Sequence, residues 1–335
     1  MCERNCVVRA VQIVKDESGQ RAELTEIADD DLGEGDVTIA VDYSAVNFKD
    51  GLGVTGIVPV VQRFPVVAGI DLAGTVVDAP TESGFAPGDA VAVNGWGLAV
   101  DHNGGFATRA RVPSGWLTRI PARFTTWQAM AIGTAGYTAA LGVVALQRRG
   151  VTPRQGPVLV TGAAGGVGSV AIALLAALGH EVHASTGRPT EEAYLRALGA
   201  GEIIARSELA EPAEAALGAE RWAAAVDTVG SHTLVNVLAQ IRYGGTVANC
   251  GLAQGLDLPG SVAPFILRAV TLVGIDSVNA PVSSRDEAWT LLDKHLDDAL
   301  LEKMTSTVPL DQAAAVAQQV LAGTVRGRTV VDVNA

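Results

Sequence analysis

Two rhythms of apolar and polar residues divide this chain. Up to about residue 125 the apolar runs are short and broken by Gly, Pro and Asp, as at 37–41, 73–77 and 90–93, with Ala86-Pro-Gly-Asp89 as a turn before the last. That spacing predicts an irregular β-barrel rather than strand–helix–strand units. From about Thr126 longer apolar stretches at helical spacing alternate with short continuous ones. They predict a helix over 127–146, a strand over 157–161, a helix over 166–178, and strands near 181–185, 202–205, 222–228 and 245–250. Such alternation makes a doubly wound parallel sheet of the Rossmann kind, and the fold class is therefore α/β. Beyond Ala269 the pattern predicts a strand over 270–275, helices over 284–297 and 310–322, and a last strand over 329–333. The expected organisation is a barrel domain of residues 1–125 and 269–335 holding a nucleotide domain of residues 126–268, with ligands in the cleft between them.

The strongest chemical signal is Val158-Leu-Val-Thr-Gly-Ala-Ala-Gly-Gly-Val-Gly168. A glycine turn between a strand and a helix is where a dinucleotide pyrophosphate meets a helix N-terminus. Gly165 lets the backbone approach the phosphates and Gly168 lets helix and strand pack closely. Ala163 replaces the usual first glycine, so the turn formed by Ala164, Gly165, Gly166, Val167 and Gly168 reads A-x-G-x-x-G. A glycine turn that merely joins two elements is the plain alternative, and the context weighs against it. The second strand ends in Ser185-Thr186-Gly187-Arg188, with no carboxylate until Glu191 to hold a ribose 2′-hydroxyl. An arginine there suits a 2′-phosphate and predicts NADPH; a solvated arginine ahead of Pro189 is the bland reading.

Composition narrows the class further. With 335 residues, 48% hydrophobic and 18% charged, the chain can build two globular cores. The apolar run at 170–178 is too short to cross a bilayer, and residues 1–15 show no signal peptide. Neither membrane nor nucleic acid is an expected partner, since a net charge of −12 opposes polyanion binding. Asp29, Asp30 and Asp31 read as a solvated loop. Three cysteines (Cys2, Cys6, Cys250) make no disulfide framework and no four-cysteine zinc site, which suits free thiols in a reducing cytoplasm.

Several strings resemble the medium-chain dehydrogenase/reductase superfamily along the whole chain, with a GroES-like barrel and a Rossmann domain. They are Val46-Asn-Phe-Lys-Asp-Gly51, Pro65-Val-Val-Ala-Gly-Ile-Asp-Leu-Ala-Gly74, Gly104-Gly-Phe-Ala107, Gly133-Thr-Ala-Gly-Tyr137, Asp227-Thr-Val-Gly230, Tyr243-Gly-Gly245, Cys250-Gly-Leu-Ala253 and Gly327-Arg-Thr329. Gly95-Trp-Gly97, Pro264-Phe-Ile-Leu-Arg268 and Gly274-Ile-Asp-Ser277 resemble, more narrowly, the zinc-free quinone-oxidoreductase branch and its acrylyl-CoA reductase family. Zinc-dependent relatives carry cysteine where this chain has Asn47 and His-Glu where it has Ile70-Asp71, and the five histidines are scattered, so no metal is expected.

The resemblance implies an NADPH-dependent oxidoreductase. Its expected reaction is hydride transfer to the β-carbon of a short 2-enoyl-CoA, acryloyl-CoA to propanoyl-CoA. A quinone or general enone substrate is the first alternative, and a non-catalytic NADPH-binding redox sensor the second. Asn47, Lys49 and Tyr137 are the candidate catalytic donors, with Ser277 or water as other proton sources. Asp50 is expected to anchor its loop. Phe48 stands where many relatives have a tyrosine tied to substrate polarisation or proton delivery; it can line or stack but cannot donate. Family position assigns cofactor contacts to Phe48, the turn 164–168, the group Ser185, Thr186, Gly187 and Arg188, and to Leu252, Ile266, Ser277 and Arg328, with Thr134 beside them. Ordinary core or surface roles remain open for Leu252, Ile266, Thr134 and Arg328. Arg63, Arg268 and Arg326 are candidates for CoA phosphates, while Trp96 and Trp116 are expected to pack the barrel. The family implies a homodimer, formed at the sheet edge near 270–275.

Overall fold

Ten residues from Val7 form the strand that opens the first of three sheets among the described residues, with Val8, Ala10, Val11 and Ile13 turned inward. The computed structural model describes residues 7–17, 19–212 and 215–335; Cys2 and Cys6 lie outside them. The chain divides into two units, Met1–Thr134 with Met304–Ala335, and Ala135–Lys303.

The first unit begins with β1 (Val7–Asp16), β2 (Gly19–Ala28), β3 (Val37–Val46), helix α1 (Phe48–Thr55), β4 (Val66–Val67), β5 (Asp71–Asp78), β6 (Ala90–Asn94), β7 (Arg109–Val112) and β8 (Thr118–Arg119). The long helix α2 (Thr126–Arg148) leads out of it. The second unit holds β9 (Val158–Val160), α3 (Gly166–Ala177), β10 (Val182–Thr186), α4 (Glu192–Ala197), β11 (Ala200–Ala205), α5 (Ser207–Ala210), β12 (Trp222–Asp227), α6 (Ser231–Gln240), β13 (Ile241–Asn249), α7 (Ala263–Arg268), β14 (Thr271–Gly274), α8 (Val282–His295) and α9 (Asp298–Lys303). The chain then returns to the first unit with β15 (Thr305–Pro309), α10 (Ala313–Leu321) and β16 (Arg328–Asp332).

In the first unit one sheet runs β2-β1-β4 and the other β15-β16-β3-β5-β6-β8, with β7 also on β3. Val11 and Ile13 from one sheet share a core with Ile39, Leu72, Val91 and Val331 from the other. Each such buried side chain contributes about 1.5–3 kcal/mol. Trp96 and Trp116 stack with ring centroids 6.1 Å apart, as packing partners.

In the second unit the six strands are ordered β11-β10-β9-β12-β13-β14, and every pair is parallel. The chain winds outward from β9 in one direction and then, from β12, in the other. Ligands of such sheets bind at the carboxyl ends of the two central strands, where the winding reverses. Leu159, Ile204, Trp222, Val237 and Val247 form the core on one face.

Two expectations need correction. The tail after residue 269 does not return at once to the barrel. Thr271 to Gly274 pair in register with Thr246 to Asn249 and extend the parallel sheet, so the second unit keeps the chain to Lys303. Helix α2 is also longer than its sequence reading. It is long and apolar enough to span a bilayer, but 89% of its most apolar window is buried inside the protein, as in a core helix. Gly133 interrupts it with φ 49° and ψ −166°, outside helical values.

Candidate active site

In the second unit, Thr161 follows β9 and donates its hydroxyl to Asp227 Oδ1 at 2.6 Å. The other oxygen of Asp227 accepts from Gly230 N at 2.9 Å and Asn249 Nδ2 at 2.8 Å. One buried carboxylate thus ties together the ends of β9, β12 and β13, although burial pushes its pKa up. Next to it the chain turns through Ala164 and Gly165 into α3. A Cβ on Gly168 would lie 2.7 Å from Ala163 Cα, so glycine is required for this approach of helix to turn. A Cβ on Gly165 would meet only Gly162 O, at 3.2 Å, which leaves the face over the helix N-terminus open. The unpaired N–H groups of that end attract anionic groups.

Strand β10 delivers the second half of this site. Ser185 and Thr186 are buried, and Thr186 Oγ1 accepts from Arg188 N at 3.1 Å. Their expected direct contact with a ligand gives way to shaping the turn. Gly187 is exposed, and Arg188 is half-buried and reaches back over the glycine turn to donate from Nη2 to Ala164 O at 2.9 Å. A second arginine, which the sequence reading missed, stands beside it. A Cβ on Gly187 would lie 2.7 Å from Cζ of Arg206, whose backbone N donates to Thr186 O at 2.9 Å. The clue was available: Arg206 directly follows the strand read at 202–205, next to β10 in a parallel sheet.

Elsewhere in this unit Leu252 is exposed and lines a pocket of about 540 Å³ with Gly230, Cys250, Leu256, Leu272 and Ile275. Ile266 is 72% exposed, so neither residue is core. Burial pushes the Cys250 thiol up to about 12, which keeps it a poor nucleophile. Ser277 is half-buried in the loop after β14. Tyr137 exposes none of its surface, and its Oη has no hydrogen-bond partner among the described residues. Burial pushes that hydroxyl up to about 12. Its enclosure corrects the expectation that Tyr137 hands a proton to substrate. Arg268 is also corrected: it donates to Ala239 O at 2.9 Å and Gly218 O at 2.6 Å, and so braces its own unit instead of a CoA phosphate.

In the first unit, Asn47 caps α1. Its side chain accepts from the Asp50 backbone, while its own N donates to Asp50 Oδ2 at 2.8 Å. Asp50 Oδ1 accepts from Ile70 N at 2.9 Å, which is the loop anchoring expected of it. Asp71 gathers more donors: Asn47 Nδ2 at 2.8 Å, Asn94 Nδ2 at 2.7 Å, Thr134 N at 2.8 Å and Thr134 Oγ1 at 2.6 Å. Arg328, 2% exposed, donates to Ala131 O at 2.9 Å and to Val46 O and Asn47 Oδ1, both at 3.2 Å. A Cβ on Gly133 would collide with Arg328 Nη2 and stand 2.8 Å from Asp71 Oδ2, so the break in α2 makes room for this cluster.

Three site assignments change accordingly. Asn47 engages both ends of its amide inside the protein and is not a substrate donor. The hydroxyl and N–H of Thr134 are held by Asp71. Arg328 is an internal support of Asn47 and has no exposed face for a phosphate. Phe48 and Lys49, in the first turn of α1, are half-buried. Arg63 and Arg326 are exposed. The zinc ligands of related dehydrogenases have no counterpart here, because Asn47 and Asp71 face each other and are satisfied by hydrogen bonds. No group of three His, Cys, Asp or Glu side chains among the described residues could hold a metal ion.

The Asp50 carboxyl lies at about 7, raised first by burial and then by the charge of Asp71. Between about pH 4 and that value the folded protein therefore keeps a proton that the unfolded chain has released. Stability from this group is full below the window and falls as pH rises through it. Melting temperatures across that range should fall less steeply for Asp50→Asn than for the wild type; parallel curves would contradict the assignment.

Residues 33–122 match the alcohol dehydrogenase GroES-like domain and residues 166–294 the zinc-binding dehydrogenase domain. The chain is 48% identical to the acrylyl-CoA reductase AcuI of Ruegeria pomeroyi over 97% of its own length and 99% of the relative. It is 40% identical to the putative quinone oxidoreductase YhfP of Bacillus subtilis, over 96% and 98%. The Salmonella enterica YhdH oxidoreductase, solved in complex with NADP, superposes with a TM-score of 0.94 at 43% identity, over 97% of this chain and 99% of that one.

Proposed function

Because the chain belongs to the quinone-oxidoreductase-like branch of the medium-chain dehydrogenases that contains the acrylyl-CoA reductases, we propose that it reduces the C=C bond of a short 2-enoyl-CoA with NADPH. The observation that carries the cofactor choice is the pair Arg188 and Arg206 at the strand ends, where an NAD enzyme would place a carboxylate. The substrate class rests on the near full-length similarity to AcuI.

When bound, NADPH would supply a hydride for the β-carbon of the enoyl thioester, and a proton from water added at the α-carbon would complete the reduction. The N–H groups of the turn 164–168 and of the α3 N-terminus hold its pyrophosphate. Arg188 and Arg206 hold the 2′-phosphate through paired, fixed-charge donors. Ser277 would bond the nicotinamide carboxamide, and Leu252 and Ile266 would offer apolar surface. Asn47 is held by internal hydrogen bonds and Tyr137 is enclosed, and we assign to Lys49, half-buried in the first turn of α1, the stabilisation of the enolate-like oxygen of the thioester. Phe48, half-buried beside Lys49, would offer an apolar ring and no proton. No step needs a metal, and Asn47 and Asp71 have no free lone-pair arrangement to bind one.

NADPH oxidation, followed by absorbance with acryloyl-CoA, crotonyl-CoA and a simple quinone, and with NADH in parallel, tests this reading. Turnover should be fastest with acryloyl-CoA and NADPH. Activity on the quinone alone would move the protein to the quinone-reductase reading, which its similarity to YhfP keeps in view. No turnover, with NADPH still raising Tm, would make it a binding protein. A cytoplasmic homodimer, joined through the edge strand β14, completes the proposal; the exposed Leu256, Val262, Ile266, Leu267 and Val282 of the same unit support a covered surface there.

A further inference from the structure

The second unit contains a buried cation that no cofactor contact explains. Arg285 projects from α8 with 3% of its surface exposed. Its Nε donates to Ala280 O at 3.1 Å, and its Nη2 to Ser277 O at 3.2 Å and Val278 O at 2.7 Å. All three acceptors belong to the loop that follows β14. The same loop is tied from within: Asp276 Oδ1 accepts from Val278 N at 2.8 Å and Asn279 N at 3.1 Å, and Oδ2 accepts from Asn279 Nδ2 at 3.1 Å. On its other side the guanidinium lies 5.2 Å from the ring centroid of Tyr137, on α2.

We propose that Arg285 is a positioning residue for the nicotinamide end of the cofactor, acting through Ser277. Two carbonyls in succession, those of Ser277 and Val278, are drawn to one nitrogen of a rigid planar group. That sets the peptide plane between them, and with it the direction in which the Ser277 side chain leaves the backbone. The Tyr137 ring packs beside the guanidinium and limits its turning. A lysine would retain the charge but not the fork that reaches several carbonyls at once. The inference rests on the reading above that Ser277 contacts NADPH.

The test uses full-length wild type, Ser277→Ala, Arg285→Lys, Arg285→Met and the Ser277→Ala/Arg285→Lys double variant, with NADPH titrated by fluorescence and steady-state kinetics on acryloyl-CoA. Ser277→Ala should weaken NADPH binding about tenfold. Arg285→Met should weaken it by a similar factor, raising KM for NADPH more than it lowers kcat, and Arg285→Lys should fall between. In the Ser277→Ala background, Arg285→Lys should add less than about twofold, because both changes remove one contact. Multiplying effects, or a loss of kcat with KM unchanged, would overturn the proposal; a merely structural arginine gives that pattern. If Arg285→Met fails to fold, the cycle with Arg285→Lys decides by the same rule. Wild type that binds NADPH while Ser277→Ala binds it equally well overturns the link through Ser277 alone. Wild type that does not bind NADPH overturns the functional reading itself.

Discussion

Arg188→Ala should raise KM for NADPH by about 10–100-fold and leave KM for NADH nearly unchanged. A hydrogen bond to a charged group contributes about 1.5–3 kcal/mol, and each 1.4 kcal/mol is about tenfold in affinity. The guanidinium already points along the glycine turn, bonded to Ala164 O, so little ordering accompanies ligand binding. Arg206 stands against the same Gly187 and should limit the single-variant loss. Adding Arg206→Ala should bring the two cofactors to comparable KM values. Steady-state kinetics with each cofactor checks both statements. An equal loss with NADPH and NADH would mean that Arg188 supports the turn and does not read the 2′-phosphate.

Asp71→Ala should destabilise the first unit by about 3–5 kcal/mol, the cost of removing one partner from a buried charged cluster. Four hydrogen bonds converge on that carboxylate, from Asn47, Asn94 and twice from Thr134. Its removal takes one acceptor from each of these donors, although Asn47 Nδ2 keeps Ala45 O, and takes a negative charge from the neighbourhood of buried Arg328. Asp71→Asn should cost less, since one amide oxygen still accepts, but its NH2 would face other donors. Urea unfolding monitored by tryptophan fluorescence measures both. Loss of less than about 1 kcal/mol for Asp71→Ala would show that water or rearrangement satisfies the donors. Activity should fall with stability, because the turn bearing Phe48 and Lys49 hangs from Asn47.

In the second unit the parallel strands were legible one by one, because each is a short continuous apolar run, while helix α9 was missed and β13 begins four residues earlier than read. The glycine turn, α3 and β10 fall within one or two residues of their sequence assignments. In the first unit the strands were legible but their partners were not. The pairing of β16 with β3 joins residues almost three hundred positions apart, which no local pattern encodes. Strand β15 was missed because Thr305, Ser306 and Thr307 give it no apolar alternation, and its place is set by pairing with β16. The boundary at 269 failed for the related reason that β14 is claimed by β13. At the site, residue types were readable and their surroundings were not. Asn47, Thr134 and Arg328 were all singled out, yet each turns inward, and only the fold reveals what a polar side chain faces. Arg206 was overlooked because it lies eighteen residues beyond Arg188 and meets it only through the parallel pairing of β10 with β11.

The four donors on Asp71 also bear on how such a site can change over generations. Installing a metal in the manner of the zinc-dependent dehydrogenases would require cysteine at 47 and histidine at 70, with the carboxylate at 71 released from its present bonds. Replacing Asn47 takes one acceptor from Arg328 and one donor from Asp71; altering Asp71 takes an acceptor from Asn94 and from Thr134. A change at 47 or at 71 therefore lowers stability before any ion can repay it. The cluster works as an interlock: each polar group is held by a neighbour that would have to change along with it.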